Sequence, residues 1–175
     1  MRALLADAPG SVAWLLESIR SFGPQLGTVL YRVPANIPRD NARLAALLAA
    51  WPREVPLTME FQDASWLVDE VLDSLREAGV ALCATDLEES PEPPPLHLTG
   101  SFLYLRLRRT TYADEDLRDW AARIAPFVEA GHDAFVFFKH DEAGNAPSLA
   151  HGLTAATHAV MDGAGHTPTP VEPPP

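Results

Sequence analysis

Glu60 lies inside an apolar run, Leu57-Thr-Met-Glu-Phe-Gln62, and no other residue of the sequence makes so clear a chemical demand. Strands of parallel sheets normally read as continuous apolar runs, and a carboxylate buried in one needs a cation or hydrogen-bond donors beside it. Arg32, in Thr28-Val-Leu-Tyr-Arg-Val33, and Arg106, in Phe102-Leu-Tyr-Leu-Arg-Leu107, supply cations in two other strand-like runs. Glu60 and Arg106 are the sharpest pair, expected opposite each other, and can serve as an acid–base group and an anion ligand. They can equally form a buried ion pair in which each charge requires the other. Asp86 closes Val80-Ala-Leu-Cys-Ala-Thr-Asp86, where it can act as a base or metal ligand or cap the loop that follows. Lys139-His140-Asp141-Glu142 adds an imidazole and a carboxylate just beyond another apolar run. The candidates for catalysis are therefore Glu60, Asp86 and Asp141, with Arg32, Arg106 and His140 as substrate ligands.

No zinc-type histidine spacing, GxGxxG run or Walker loop occurs in the chain, so no cofactor or metal is assigned.

These residues must be held by elements that the sequence also marks. A helix is predicted over 11–22, ended by Gly23-Pro24, and a strand over 28–33. Asp40 is placed to cap a helix carrying Leu44, Leu47, Leu48 and Trp51. A strand over 57–62 leads into a helix near 67–78, with Gly79 as its stop. Strands follow at 80–86 and 102–107, separated by a loop rich in proline from Pro91 to Pro95. A helix over 114–129, a strand over 134–138 and a helix around 147–161 complete the domain, expected to span 1–161. Residues 162–175, ending Pro173-Pro-Pro175, read as a disordered tail.

Strands alternating with helices argue a parallel α/β sheet. Each strand has one aliphatic face and one polar or aromatic face: Leu103, Leu105 and Leu107 oppose Phe102, Tyr104 and Arg106. That asymmetry fits a TIM-like barrel whose lumen carries Arg32, Glu60 and Arg106. Eight strands are needed and five can be placed, so the expected fold is an incomplete barrel lacking about three N-terminal units.

The formal charge is −11, which disfavours nucleic acid and anionic membrane as partners. A single cysteine, Cys83, suits a reducing cytosol, and no run is apolar and long enough to span a bilayer. The expected setting is cytoplasmic. The open sheet edges of a partial barrel leave self-association possible.

Four stretches resemble, in order, the YecE-like family, domain of unknown function 72. They are Leu30-Tyr-Arg-Val-Pro34, Glu60-Phe-Gln-Asp-Ala-Ser-Trp66, Tyr104-Leu-Arg-Leu107 with Thr111-Tyr-Ala113, and Phe137-Phe-Lys-His-Asp141 with Gly144-Asn-Ala-Pro147. The resemblance covers about residues 20–153 and corresponds to the C-terminal five strands of that family's TIM-like barrel. It adds Tyr112 to the substrate-binding candidates. Family members usually have Phe-Gln-Leu-Pro in place of Tyr31-Arg-Val-Pro34, Arg-His in place of Gln62-Asp63 and His-Gly in place of Arg108-Arg109. They usually have Asn-Asn-Asp in place of Lys139-His140-Asp141 and asparagine in place of Leu149. Two readings follow: descent from an enzyme acting on a small anionic or phosphorylated substrate, or a non-catalytic remnant or partner-binding module.

Overall fold

The computed structural model describes residues 8–90, 92–139 and 144–164. Its elements alternate as the sequence implies: α1 (Ala8–Ile19) with a 3-10 segment to Gln25, β1 (Val29–Val33), α2 (Asn41–Ala50), β2 (Leu57–Phe61), a 3-10 turn (Ala64–Trp66) and α3 (Asp69–Ala78). Then come β3 (Ala81–Asp86), β4 (Phe102–Leu107), α4 (Asp114–Glu129), β5 (Asp133–Phe138) and α5 (Ala146–Ala164). The five strands form one parallel sheet in the order β1-β2-β3-β4-β5. Sequential order in a parallel sheet is the arrangement of a TIM-like fold, in which every crossover runs in the same direction.

Contacts gather the chain into two compact units. One comprises the described residues up to Thr85 together with Pro94–Leu105; the other comprises Asp86–Pro93 and the residues from Arg106 onward.

In the first unit the helix-side face of β1, β2 and β3 supplies Tyr31, Val33, Met59, Phe61 and Leu82 to the main core. Leu47 and Leu75 from α2 and α3 are fully buried against it. Local signals set the helix ends. Asp40 caps α2 by accepting the Arg43 N–H at 3.0 Å, and Gly79 ends α3 in the left-handed conformation, φ 69°, which glycine adopts without a Cβ penalty. The turn after β2 is fixed by its own side chains. Asp63 accepts the Ser65 N–H at 2.9 Å, Ser65 Oγ accepts the Arg39 N–H at 2.9 Å, and Trp66 donates to the Ile37 carbonyl at 2.9 Å. The Trp66 ring stacks on Phe61 at 4.7 Å. Two hydrogen bonds from Ser65 hold the Asp63 carboxyl below its usual value.

The start of β3 is clamped by the chain that returns after the proline-rich loop. Thr99 Oγ1 donates to the Val80 carbonyl at 2.7 Å and accepts the Leu82 N–H at 2.8 Å. Gly100 follows because the backbones nearly touch: a Cβ there would lie 2.8 Å from the Ala81 nitrogen.

In the second unit α4 buries Leu117, Trp120, Ala121, Ile124 and Ala125. Gly152 lets α5 close on α4, since a Cβ at that position would meet Leu117 Cδ1 at 3.0 Å. β5 alternates between half-buried Ala134, Val136 and Phe138 and exposed Asp133, Phe135 and Phe137.

Gly100→Ala forces the loop backbone off β3 and should cost about 1–3 kcal/mol of unfolding free energy, measured by urea denaturation against wild type. Unchanged stability would show that the Thr99 clamp does not require this approach.

Candidate functional site

The register of the first unit sets the central geometry. β1 and β2 pair so that Arg32 is directly opposite Glu60, and neighbouring strands lie about 4.8 Å apart. Glu60 is almost completely buried, and Arg32 Nε stands 3.8 Å from its Oε2. That distance is an electrostatic pair rather than a direct hydrogen bond. The other carboxylate oxygen, Oε1, accepts the Thr85 hydroxyl at 3.2 Å. With that proton directed to Glu60, the Thr85 oxygen faces Cys83 Sγ at 3.5 Å as an acceptor. A polar line thus crosses three strands: Arg32, Glu60, Thr85, Cys83.

The line lies on the face opposite the helices. Tyr31, Val33, Met59 and Phe61 go to the helix-packed core, so Arg32 and Glu60 alternate to the other side. Cys83 shares that side with Ala81, Phe102, Tyr104 and Leu30, which form a separate apolar cluster. Thr58, fully buried, meets Thr28 Oγ1 at 3.0 Å on the same side. Arg32 is the group of the line that reaches solvent, its side chain being 41% exposed. Among the described residues, Glu60 is its recorded partner.

The second unit holds another buried carboxylate in a different role. Asp86 is 0% exposed and alternates to the side of Leu82, away from Thr85. Tyr112 donates to its Oδ2 at 2.9 Å, and Arg109 Nε stands 3.0 Å from the same oxygen, close but not aligned for a hydrogen bond. Tyr112 in turn accepts the Arg109 N–H at 3.1 Å, and its ring meets Phe138 edge-on at 5.4 Å. Arg123, lying over the Trp120 ring at 4.3 Å, also feels Asp86, which counteracts the lowering of its pKa by burial. Glu88 accepts both the N–H and the hydroxyl of Thr110 at 2.8 Å, which holds its carboxyl below the usual value. The loop between β4 and α4 is thereby tied to Asp86 and Glu88.

Among the other expected site residues, Arg106 is half-buried near the end of β4, and His140 and Asp141 lie outside the described residues. Sequence reasoning missed Thr85 and Arg109. Thr85 carried a legible signal, because it stands two residues beyond Cys83 on the polar face of its strand. Arg109 follows the end of β4, and nothing in its spacing pointed to Asp86. Among the described residues no three His, Cys, Asp or Glu side chains converge as a metal would require, and no helix is long and apolar enough to cross a membrane. A cavity of about 300 Å³ between α4, β5 and α5 is lined by apolar side chains such as Ile124, Val136 and Leu153 and by the polar His132, Asp133 and His158. The hydroxyls of Thr154 and Thr157 at its wall donate to carbonyls of their own helix.

Burial raises the Tyr112 phenol above its ordinary value, and the negative charge and hydrogen bond of Asp86 act in the same direction. The folded state keeps Tyr112 protonated where the unfolded chain would ionise it, at about pH 10. Its contribution to stability is therefore complete below that pH and declines as pH rises above it. In a spectrophotometric titration at 295 nm, Tyr112 should ionise only as the protein unfolds, and Tyr112→Phe should remove that component. Ionisation of Tyr112 near pH 10 in the folded protein would contradict the hydrogen bond to Asp86.

Comparison with known proteins supplies the lineage. Two crystal structures of a DUF72 family protein from Enterococcus faecalis V583 match the fold with TM-scores of 0.71 and 0.68, both at 17% identity. The first match covers 87% of this chain and 67% of that one; the second covers 90% and 70%. A DUF72 family protein from Thermotoga maritima MSB8 matches with a TM-score of 0.65 at 18% identity, over 91% of this chain and 68% of that one. No curated protein matches this chain. The family model described as a protein of unknown function, DUF72, matches residues 2–174, well beyond the stretch spanned by the motifs. The chain belongs to the DUF72 family.

Proposed function

We infer that the protein binds a small anionic ligand, a carboxylate or a phosphate, on the polar face of the sheet through Arg32. One observation carries this reading. Arg32 holds its Nε toward the buried Glu60 while its side chain stays 41% exposed, and the described residues offer it no second partner. A guanidinium presents donors in a planar fork that matches carboxylate and phosphate oxygens. The negative charge of the buried carboxylate holds the guanidinium beside the strand, so less entropy is lost when an anion binds.

The same arrangement gives Glu60 a chemical role. It is the buried carboxylate nearest the bound anion, with its second oxygen hydrogen-bonded to Thr85. It would act as the general base or acid for a ligand held by Arg32. Asp86 takes the supporting part: it is closed off by Tyr112 and Arg109 and orders the loop between β4 and α4. The alternative is binding without turnover, as in a remnant of an enzyme. It is favoured by the same closure of Asp86, which leaves Glu60 as the acid–base carboxylate of the described site.

Inorganic phosphate or a small dicarboxylate should raise the melting temperature of the wild type. Arg32→Ala should weaken binding by about tenfold or more, the worth of a charge-assisted pair, measured by titration calorimetry. Glu60→Gln keeps the shape and should still bind the anion. No binding by the wild type, or equal binding by Arg32→Ala, would overturn the reading.

A further inference from the structure

We propose that β5 is a docking edge for a second copy of this chain, paired antiparallel with its own counterpart about a twofold axis at Val136. Among the described residues β5 ends the sheet, with β4 on one side. The Lys139 N–H bonds to the Leu107 carbonyl at 2.8 Å, so position 139 directs its backbone toward β4. Backbone direction alternates along a strand. Positions 133, 135 and 137 therefore face β4 as well, and Ala134, Val136 and Phe138 turn their N–H and C=O groups to the outer edge. Those outward groups form a template for one more strand.

The usual protections of such an edge are missing from the run. Ala134-Phe-Val-Phe-Phe138 contains no charge, proline or glycine, and Phe135 and Phe137 are 37% and 47% exposed. An edge of this composition favours strand addition.

The sequence selects the occupant and the register. With Val136 opposite itself, its outward N–H and C=O make a hydrogen-bonded pair with those of the second copy, and Ala134 does the same with Phe138. Phe135 then falls opposite Phe137 in the non-hydrogen-bonded sites, where side chains approach most closely and aromatic pairs add stability. At both ends Asp133 falls opposite Lys139. The strand is therefore complementary to itself in hydrogen bonding, in apolar surface and in charge, and only when antiparallel. Parallel addition in register would set Asp133 against Asp133 and Lys139 against Lys139. Because the pairing is isologous it closes at two copies, and because one strand pair buries little area the dimer is weak and concentration-dependent.

Sedimentation equilibrium of the full chain over a range of concentrations tests this directly. The expected result is a reversible monomer–dimer equilibrium. Asp133→Lys or Lys139→Asp alone should weaken it about tenfold, since each places like charges opposite one another twice. The double reversal D133K/K139D should restore it. Register is read separately by oxidising a mixture of Phe135→Cys and Phe137→Cys chains. The two positions would lie about 4.5 Å apart between Cα atoms across the dimer, within disulfide reach. A 135–137 cross-link between the two variants is expected, without cross-links within either variant alone. A chain that stays monomeric, assembles beyond two copies, gains nothing from the double reversal or cross-links in another register would overturn the proposal.

Discussion

Burying Glu60 inside a parallel strand imposes the strongest physical constraint on the first unit. An ionised carboxylate out of water is costly unless charge and hydrogen bonds compensate it. The register of β1 on β2 places Arg32 directly beside Glu60, and Thr85 reaches its other oxygen from β3. Slipping either strand by one residue would turn the charge into the helix-packed core. The carboxylate therefore specifies strand pairing while defining the polar face. The apolar alternates, Tyr31, Val33, Met59 and Phe61, are committed to the helices, so the charged pair lies on the opposite side.

The second unit satisfies its buried carboxylate differently. Asp86 lies on the helix side of β3 and gathers Tyr112 and Arg109 from a single loop, an arrangement that fixes backbone position. The two carboxylates differ in the side of the sheet on which each is compensated. Thr85 and Asp86 are adjacent in sequence, yet alternation sends one to the polar face and the other beneath the loop.

Several positions at which this chain departs from the family resemblance have defined structural roles here. Arg32, where an amide is usual, contributes the positive charge beside Glu60. Asp63, where histidine is usual, accepts the Ser65 N–H in the turn that seats Trp66. Arg109, where glycine is usual, neutralises Asp86. Arg32 and Arg109 each stand beside a buried carboxylate, whereas Asp63 is held by the neutral donors of Ser65.

The sequence by itself determined the alternation of strands and helices, the helix ends at Asp40 and Gly79 and the sidedness of the strands. These rest on local causes: the Asp40 cap, the stop at Gly79, the proline run and two-residue periodicity. It did not determine the ends of α1, which starts at Ala8 and passes after Ile19 into a 3-10 segment running through Gly23-Pro24. Glu60 was legible as a candidate because a charge within an apolar strand violates the local pattern, and Arg32 because it occurs in another such run. Tertiary structure decided which cation meets which carboxylate. Strand order and register bring residues 28 apart into opposition at Arg32 and Glu60, and periodicity within one strand carries no information about its neighbour. The same limit hid the ion pair of Arg109 with Asp86 and the threonine that links Glu60 to Cys83. Side-chain alternation is written in each strand; the partner across the sheet is set only when the strands have been laid side by side.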